Sequence, residues 1–141
     1  MTFVLDASVA LAWVFDDEAS PDADRVLQRL ERESAIAPAH WPLEVANALR
    51  TAERRGRLTA TELPALRSML TALPIEIVPV ELSTALGVLE TARQHDLTAY
   101  DAAYLDLAHV RDLELATIDL RLRQAAGIAG IRLVDEVRVL A

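Results

Sequence analysis

Residues 2–17 read TFVLDASVALAWVFDD, an apolar segment that an acid interrupts near its start. The run FVL at residues 3–5 is typical of a strand entering a core, and an apolar pattern with helical spacing resumes from Ser8. Asp6 stands between the two. A buried carboxylate is costly unless hydrogen-bond donors, a cation or a metal compensate its charge. The stretch therefore predicts a strand that ends in a compensated acid.

The rest of the chain repeats this change from strand to helix. Strands are predicted at FVL (3–5), SAIA (34–37), IEIVPV (75–80), ELAT (114–117) and IRLV (131–134). Helical spacing covers residues 8–15, 21–33, 40–55, 59–72, 82–95, 99–110 and 120–126. The alternation predicts one α/β domain over residues 1–141 with a largely parallel sheet flanked by helices. Within residues 128–140, IRLV and VRVL fit either one strand or two.

The composition removes several classes of chemistry. The 141 residues contain no cysteine, which excludes disulfides, thiol catalysis and cysteine zinc sites, and suits the cytoplasm. All 14 basic residues are arginine, so a P-loop and a Schiff-base lysine are also excluded. We expect no secretion signal and no membrane span. The net charge of −8 argues against simple electrostatic adhesion to nucleic acid.

Four acids stand at strand ends or helix starts: Asp6, Glu44, Asp101 and Asp119. Each has an ordinary structural explanation, because acids also cap helices, favour the helix dipole and complete capping boxes. In parallel sheets, however, ligands collect at the carboxyl ends of the strands. Carboxylates meeting there would suit Mg²⁺ or Mn²⁺, activate water and stabilise charge on a phosphodiester. The three histidines show no metal-ligand spacing, although His40 lies four residues before Glu44.

The chain resembles the PIN-domain ribonucleases, and within them the VapC-type toxins of bacterial toxin–antitoxin pairs. The resemblance rests on VLDASVALAW (4–13), WPLEVANAL (41–49), LTAYDAAYLDLA (97–108) and LATIDLRLRQAA (115–126), which occur in the family's order and spacing. It covers essentially the whole chain and implies a five-stranded parallel sheet between helices.

By this resemblance the four acids are the catalytic residues of a metal-dependent endoribonuclease. Asp6, Asp101 and Asp119 are expected to bind Mg²⁺ or Mn²⁺, and Glu44 is a further ligand or the base that positions water. Attack of the activated water on phosphorus leaves a 5′-phosphate and a 3′-hydroxyl. The supporting residues implied are Ser8, Asn47, Thr98 and Thr117, whose polar groups would orient carboxylates or water.

The resemblance also implies three partners: an RNA substrate, a cognate VapB-like antitoxin and a second copy of the chain in a homodimer. Arg50, Arg54 and Arg57 are candidates for contacting RNA phosphates, or equally form a solvated arginine face. Trp13, Phe15 and Trp41 are candidates for an apolar docking surface, with ordinary core packing as the alternative.

Two other functions deserve comparison with the nuclease. A PIN-fold module that binds RNA or protein without catalysis would need no intact set of acids. An aspartyl-phosphate hydrolase of the haloacid dehalogenase type also begins with a strand and an aspartate. It requires a second acid where this chain has Ser8, and a lysine that this chain lacks.

Overall fold

The predicted alternation of strands and helices is confirmed in the computed structural model, which describes residues 1–134. The strands are β1 (Thr2–Leu5), β2 (Ser34–Pro38), β3 (Ile75–Val78) and β4 (Leu115–Ala116). The helices are α1 (Ala7–Val14), α2 (Pro21–Arg29), α3 (Trp41–Arg54), α4 (Leu63–Thr71), α5 (Leu82–His95), α6 (Ala99–Arg111) and α7 (Leu120–Ala129), with a short 3-10 helix at Asp16–Glu18.

The strands form one sheet in the order β3-β2-β1-β4, and each neighbouring pair is parallel. Five strands were expected, and the fifth is reduced here. Within residues 1–134 the segment 131–134 contributes a single parallel bridge, between Leu133 and Leu115. Two backbone hydrogen bonds hold it, from Leu115 N–H to the Arg132 carbonyl at 2.9 Å and from Val134 N–H to the Leu115 carbonyl at 3.0 Å. The predicted VRVL run lies outside the described residues.

Strand β1 is central and lies between β2 and β4. Phe3, Val4 and Leu5 are all fully buried. An uninterrupted apolar run is the pattern of a parallel strand covered on both faces, because alternation would leave every second side chain facing water. The same burial fixes the position of Asp6, whose backbone N–H donates to the Ala116 carbonyl of β4 at 2.9 Å.

Local sequence explains where several helices begin and end. The helix predicted at residues 59–72 begins only at Leu63, because Pro64 fits the first turn of a helix but interrupts its interior. The helix predicted at residues 21–33 ends at Arg29. Helix α7 runs past its predicted end to Ala129, where Gly130 at φ +75° terminates it. Within residues 1–134 no helix has the length and apolar character needed to cross a membrane.

The docking surface suggested for the three aromatic residues near α1 and α3 is wrong. Phe15 and Trp41 are buried in the core. Trp13 packs against that core and donates its indole N–H to the Ala23 carbonyl at 2.7 Å. Large apolar side chains on amphipathic helices are buried in the interior more often than they form an exposed docking surface. Core packing, the alternative, is therefore confirmed.

We expect Leu5→Ala to lower the free energy of unfolding by about 2–5 kcal/mol, because it opens a cavity in a fully buried strand. Urea titration with a two-state fit measures the change. Leu43→Ala is the control, since Leu43 is 74% exposed and its truncation should cost less than about 0.5 kcal/mol. Similar losses for the two variants would contradict the central position of β1.

Candidate active site

The candidate site lies where the strand order reverses. From β1 the chain builds outward through β2 to β3, and then returns to the other side of β1 with β4. In open α/β sheets, ligands bind at such a reversal, outside the carboxyl ends of the strands. Asp6 follows β1 directly, and residues 117–119 follow β4. The expected edge of the sheet therefore carries acids from both strands.

Asp6 is buried, with only 4% of its surface exposed. Its Oδ2 accepts hydrogen bonds from the hydroxyls of Ser8 at 2.6 Å and Thr117 at 2.7 Å. Although Asp6 occupies the N-cap position of α1, its side chain makes no capping bond, so the capping explanation fails for this carboxylate. Burial raises the pKa of Asp6 from 3.8 to about 6. The two hydroxyls lower this pKa, and the charges of Glu44 and Asp101 raise it.

Thr117 connects Asp6 to Asp119 through one hydroxyl group. Its Oγ1 donates to Asp6 and accepts the backbone N–H of Asp119 at 3.1 Å. Asp119 in turn caps α7, since its Oδ1 accepts the N–H of Leu122 at 3.0 Å. Capping and proximity to Asp6 are therefore compatible for Asp119, and the segment after β4 is held in a fixed register against β1.

Glu44 lies in the first turn of α3, and its partner comes from α6. The hydroxyl of Tyr104 donates to Glu44 Oε1 at 2.8 Å. His40 Nε2 lies 2.9 Å from the same oxygen. The two groups form an ion pair when the imidazole is protonated, but this buried nitrogen makes no hydrogen bond within residues 1–134. Tyr104 is therefore the donor that holds Glu44.

The hydroxyl of Tyr104 remains a donor at any physiological pH. Burial raises the pKa of Tyr104 far above its usual value of 10, and the negative charges of Asp6 and Glu44 raise it further. The ring is fully buried, and the His40 ring packs on it edge to face with centroids 5.2 Å apart. Packing on one side and a charged acceptor on the other thus fix this side chain.

Asp101 lies in the first turn of α6, which Thr98 caps by accepting the Asp101 N–H at 3.1 Å. Burial raises the pKa of Asp101, and the negative charges of Asp119 and Glu44 raise it as well. Because Asp6 responds to Glu44 and Asp101, and Asp101 responds to Asp119, the four predicted acids form one electrostatic group. The structure therefore brings together residues that lie up to 113 positions apart.

The donor set suits a hard divalent cation. Carboxylate oxygens are the ligands that Mg²⁺ and Mn²⁺ prefer, and a cation would relieve the mutual repulsion that contributes to the raised pKa values of Asp6 and Asp101. Within residues 1–134, however, no three acidic or histidine side chains are grouped so that they could hold one ion as they stand. The four acids have the donor type and the charge that such an ion requires. Their side chains influence one another electrostatically, but they do not form a ready set of ligands.

The predicted arginine strip is only partly on one helix. Arg50 lies on α3 and pairs with Glu53. Arg54 is the last residue of α3. Arg57 lies beyond the helix, after Gly56 at φ +73°, so the predicted helical face does not extend to it. Its guanidinium pairs with the acids of the 3-10 helix instead and lies 4.4 Å from the centroid of the Phe15 ring.

Sequence reasoning missed Tyr104 and gave His40 no role. The spacing carried a signal for both: His40 precedes Glu44 by four residues, and Tyr104 follows Asp101 by three, so each shares a helix face with an acid. Spacing within one helix does not reveal that α3 and α6 meet, which is what joins Tyr104 to Glu44. Asn47, a predicted supporting residue, is exposed one turn beyond Glu44.

Comparison with known proteins identifies the family of this fold. The PIN-domain family model matches residues 3–128, a span that runs from β1 into α7 and includes all four acids. Ribonuclease VapC3 of Pyrobaculum aerophilum is 32% identical over 128 residues, covering 88% of this chain and 94% of the relative. Ribonuclease VapC3 of Mycobacterium tuberculosis strain H37Rv is 34% identical over 125 residues, covering 86% of this chain and 85% of the relative.

A solved structure supports the same assignment. The crystal structure of PAE2754 from Pyrobaculum aerophilum superposes with a TM-score of 0.64 at 26% identity, covering 89% of this chain and 87% of that one. Ribonuclease VapC12 of the same Mycobacterium tuberculosis strain is 32% identical over 124 residues, covering 88% of this chain and 92% of the relative. Sequence and fold thus agree, and the chain belongs to the PIN-domain family, of the VapC type.

Proposed function

We propose that the chain is a divalent-metal-dependent endoribonuclease with Asp6, Glu44, Asp101 and Asp119 as its catalytic acids. The names of its relatives, Ribonuclease VapC3 and VapC12, support the activity. The observation that carries the proposal is the burial of the Asp6 carboxylate at the reversal of strand order, where the charges of Glu44 and Asp101 act on it. Stability alone would favour an apolar residue at this position.

The four acids have two roles in the proposed mechanism. Asp6, Asp101 and Asp119 would hold Mg²⁺ or Mn²⁺, and Glu44 would be a further ligand or the base that positions the attacking water. When bound, the cation would lower the pKa of water and offset the charge that develops on the phosphodiester. In-line attack on phosphorus breaks the bond to the 3′ oxygen and leaves a 5′-phosphate and a 3′-hydroxyl.

The supporting residues act by orientation. Ser8 and Thr117 engage Oδ2 of Asp6, which fixes the plane of the carboxylate and leaves Oδ1 available as a ligand. Thr98 fixes the first turn of α6 and with it the position of an acid. Asn47 is exposed one turn beyond Glu44 and would orient a carboxylate or water.

We expect Asp6→Asn to reduce RNA cleavage by about 100-fold or more, because the change removes a negatively charged ligand from the group. Initial rates on a labelled single-stranded RNA measure the effect, with Mg²⁺ or Mn²⁺ present and with EDTA as the metal-free condition. Cleavage by the wild type should stop in EDTA and return when the metal is restored.

The control for this experiment is Asp112→Asn. Asp112 ends α6 at φ 53°, a conformation that asparagine also tolerates, and it lies beside Thr2 at the amino end of the sheet. The control removes one negative charge and should cleave at the wild-type rate. Equal activity of Asp6→Asn and wild type would show that the proposed assignment of the acids to catalysis is wrong. Wild-type protein without cleavage under any metal condition would favour the non-catalytic binding module.

We expect Asp6→Asn also to stabilise the metal-free protein, in a pH-dependent way. The pKa of Asp6 is about 6 in the folded protein against an ordinary value of 3.8, so the folded state binds this proton more tightly. Its contribution to stability therefore falls as the pH rises from 3.8 to 6 and stays low above that range. The variant should be more stable by at most about 3 kcal/mol at pH 7.5, and the difference should shrink towards pH 4.

Urea unfolding at pH 4.5, 5.5 and 7.5 in EDTA measures this difference, and the same titrations with Mn²⁺ test binding. A ligand that binds the folded state stabilises it by mass action, so the wild type should gain more from the metal than Asp6→Asn does. A pH-independent difference between the two proteins would contradict the burial of an ionisable Asp6.

Arg54 is the arginine of the predicted strip best placed to contact RNA. Arg50 and Arg57 pair with acids, whereas Arg54 has no ion pair within residues 1–134 and is exposed. It is the last residue of the helix that carries Glu44 in its first turn. We propose that Arg54 binds a phosphate of the substrate, since arginine matches phosphate oxygens in a bidentate manner.

We expect Arg54→Ala to raise the KM for RNA and to reduce the slope of log affinity against log salt by about 1, the loss of one phosphate contact. Fluorescence anisotropy with a labelled RNA over a series of salt concentrations measures the slope. Arg132→Ala is the matched control, because Arg132 lies at the amino end of the sheet beside Thr2. An equal change in both variants would show that only the net charge matters.

The remaining partners are a VapB-like antitoxin and a second copy of the chain. The VapC names of the relatives support the antitoxin. Helix α5 exposes Leu82, Leu86 and Leu89 at i, i+4 and i+7, an apolar stripe that favours the homodimer. The cytoplasm remains the compartment predicted from the absence of cysteine.

A further inference from the structure

We propose that Tyr104 is a positioning residue of the nuclease site, which acts by holding Glu44 in the orientation that the reaction requires. The inference rests on the proposed function and adds a residue outside the four acids and their predicted supporting groups. It begins from one contact, the 2.8 Å hydrogen bond from the Tyr104 hydroxyl to Glu44 Oε1.

This contact joins two helices that each carry an acid. Tyr104 lies on α6 one turn after Asp101, and Glu44 lies in the first turn of α3. The bond therefore ties the glutamate of α3 to the helix that holds an aspartate. Because the bond falls on Oε1, it restrains rotation of the carboxylate and leaves Oε2 available for a cation or water.

The core fixes Tyr104 more firmly than it fixes Glu44, so the bond restrains Glu44 and not the reverse. The Tyr104 ring is fully buried, so the core fixes the position of its hydroxyl. The Glu44 side chain is 34% exposed and has several rotatable bonds. A rigid donor on a partly exposed acceptor restrains the acceptor, because a free glutamate would sample several rotamers.

Core packing alone does not account for tyrosine at this position. A phenylalanine would fill the same space without a hydroxyl that must find a partner when buried. Here the partner is the carboxylate of a proposed catalytic acid. Tyr100, which is exposed to solvent one turn earlier on the same helix, makes no such bond within residues 1–134. The choice of acceptor points to function.

The test compares Tyr104→Phe with Tyr100→Phe. Both variants remove one hydroxyl from a tyrosine of α6, but Tyr100 is 63% exposed and touches the His40 ring only through its own ring, which phenylalanine retains. We expect Tyr104→Phe to lower kcat by roughly 10- to 100-fold with KM changed less than about twofold, as for the loss of a group that orients a catalytic residue. Tyr100→Phe should keep wild-type kcat and KM.

Two further measurements separate positioning from a general structural role. In a Glu44→Ala background, Tyr104→Phe should have no additional effect on kcat, because the residue through which it acts is gone. Glu44→Asp keeps the charge but shortens the side chain away from the hydroxyl, and its kcat should fall as well. This variant leaves the core intact, so it still tests the inference if Tyr104→Phe fails to fold.

Three outcomes would overturn the inference: wild-type kcat in folded Tyr104→Phe, an equal loss in the presence and absence of Glu44, or wild-type kcat in Glu44→Asp. A failure of the proposed function is distinguishable, because the wild type would then cleave no RNA. In that case the stabilisation by Mn²⁺ is compared among the same variants. It should be smaller for Tyr104→Phe than for Tyr100→Phe if Tyr104 orients Glu44, and equality would refute the inference on its own.

Discussion

The carboxylate of Asp6 is the constraint on which the rest of the structure depends. It terminates a strand whose three preceding residues are fully buried, and only 4% of its own surface is exposed. Two hydroxyls compensate it only in part, since burial still dominates and raises its pKa. The crossing from β1 into α1, the reversal of strand order and the segment after β4 all have to accommodate this one charge.

Gathering three more acids beside a buried carboxylate is unfavourable by Coulomb repulsion, and the fold offsets part of that cost through its helices. Asp6 and Asp119 occupy the N-cap positions of α1 and α7, while Glu44 and Asp101 lie in the first turns of α3 and α6. Each acid therefore lies at the positive end of a helix dipole, an arrangement worth about 0.3–1 kcal/mol per charge near a surface. Helices α1, α3 and α7 follow strands β1, β2 and β4, so the parallel topology that points these strand ends to one edge also points these three helix starts there.

Much of the fold and of the candidate site could be predicted from the sequence, because apolar runs, helical spacing and capping residues are local features of the chain. The positions of β1, of the four acids and of the Thr98 cap follow from apolar runs, spacing and capping chemistry. Tyr104 did not, since its partner is 60 residues away and only tertiary packing joins them. The position of Arg57 was wrong for a different and local reason, because Gly56 in the left-handed region follows the end of the helix and precedes Arg57. The reduced fifth strand and the buried aromatic residues likewise depend on contacts between distant segments.

The hydroxyl of Thr117 has a consequence for how this sequence can change. It has one proton, which goes to Asp6, so its lone pairs are left to accept the N–H of Asp119. The polarity of this small chain of bonds is thereby set in one direction, and serine but not valine preserves it. A descendant that replaced Asp6 by an apolar residue would lose the need for a hydroxyl at position 117. The two positions, 111 residues apart, should therefore drift together among homologues, with the hydroxyl retained wherever the acid is.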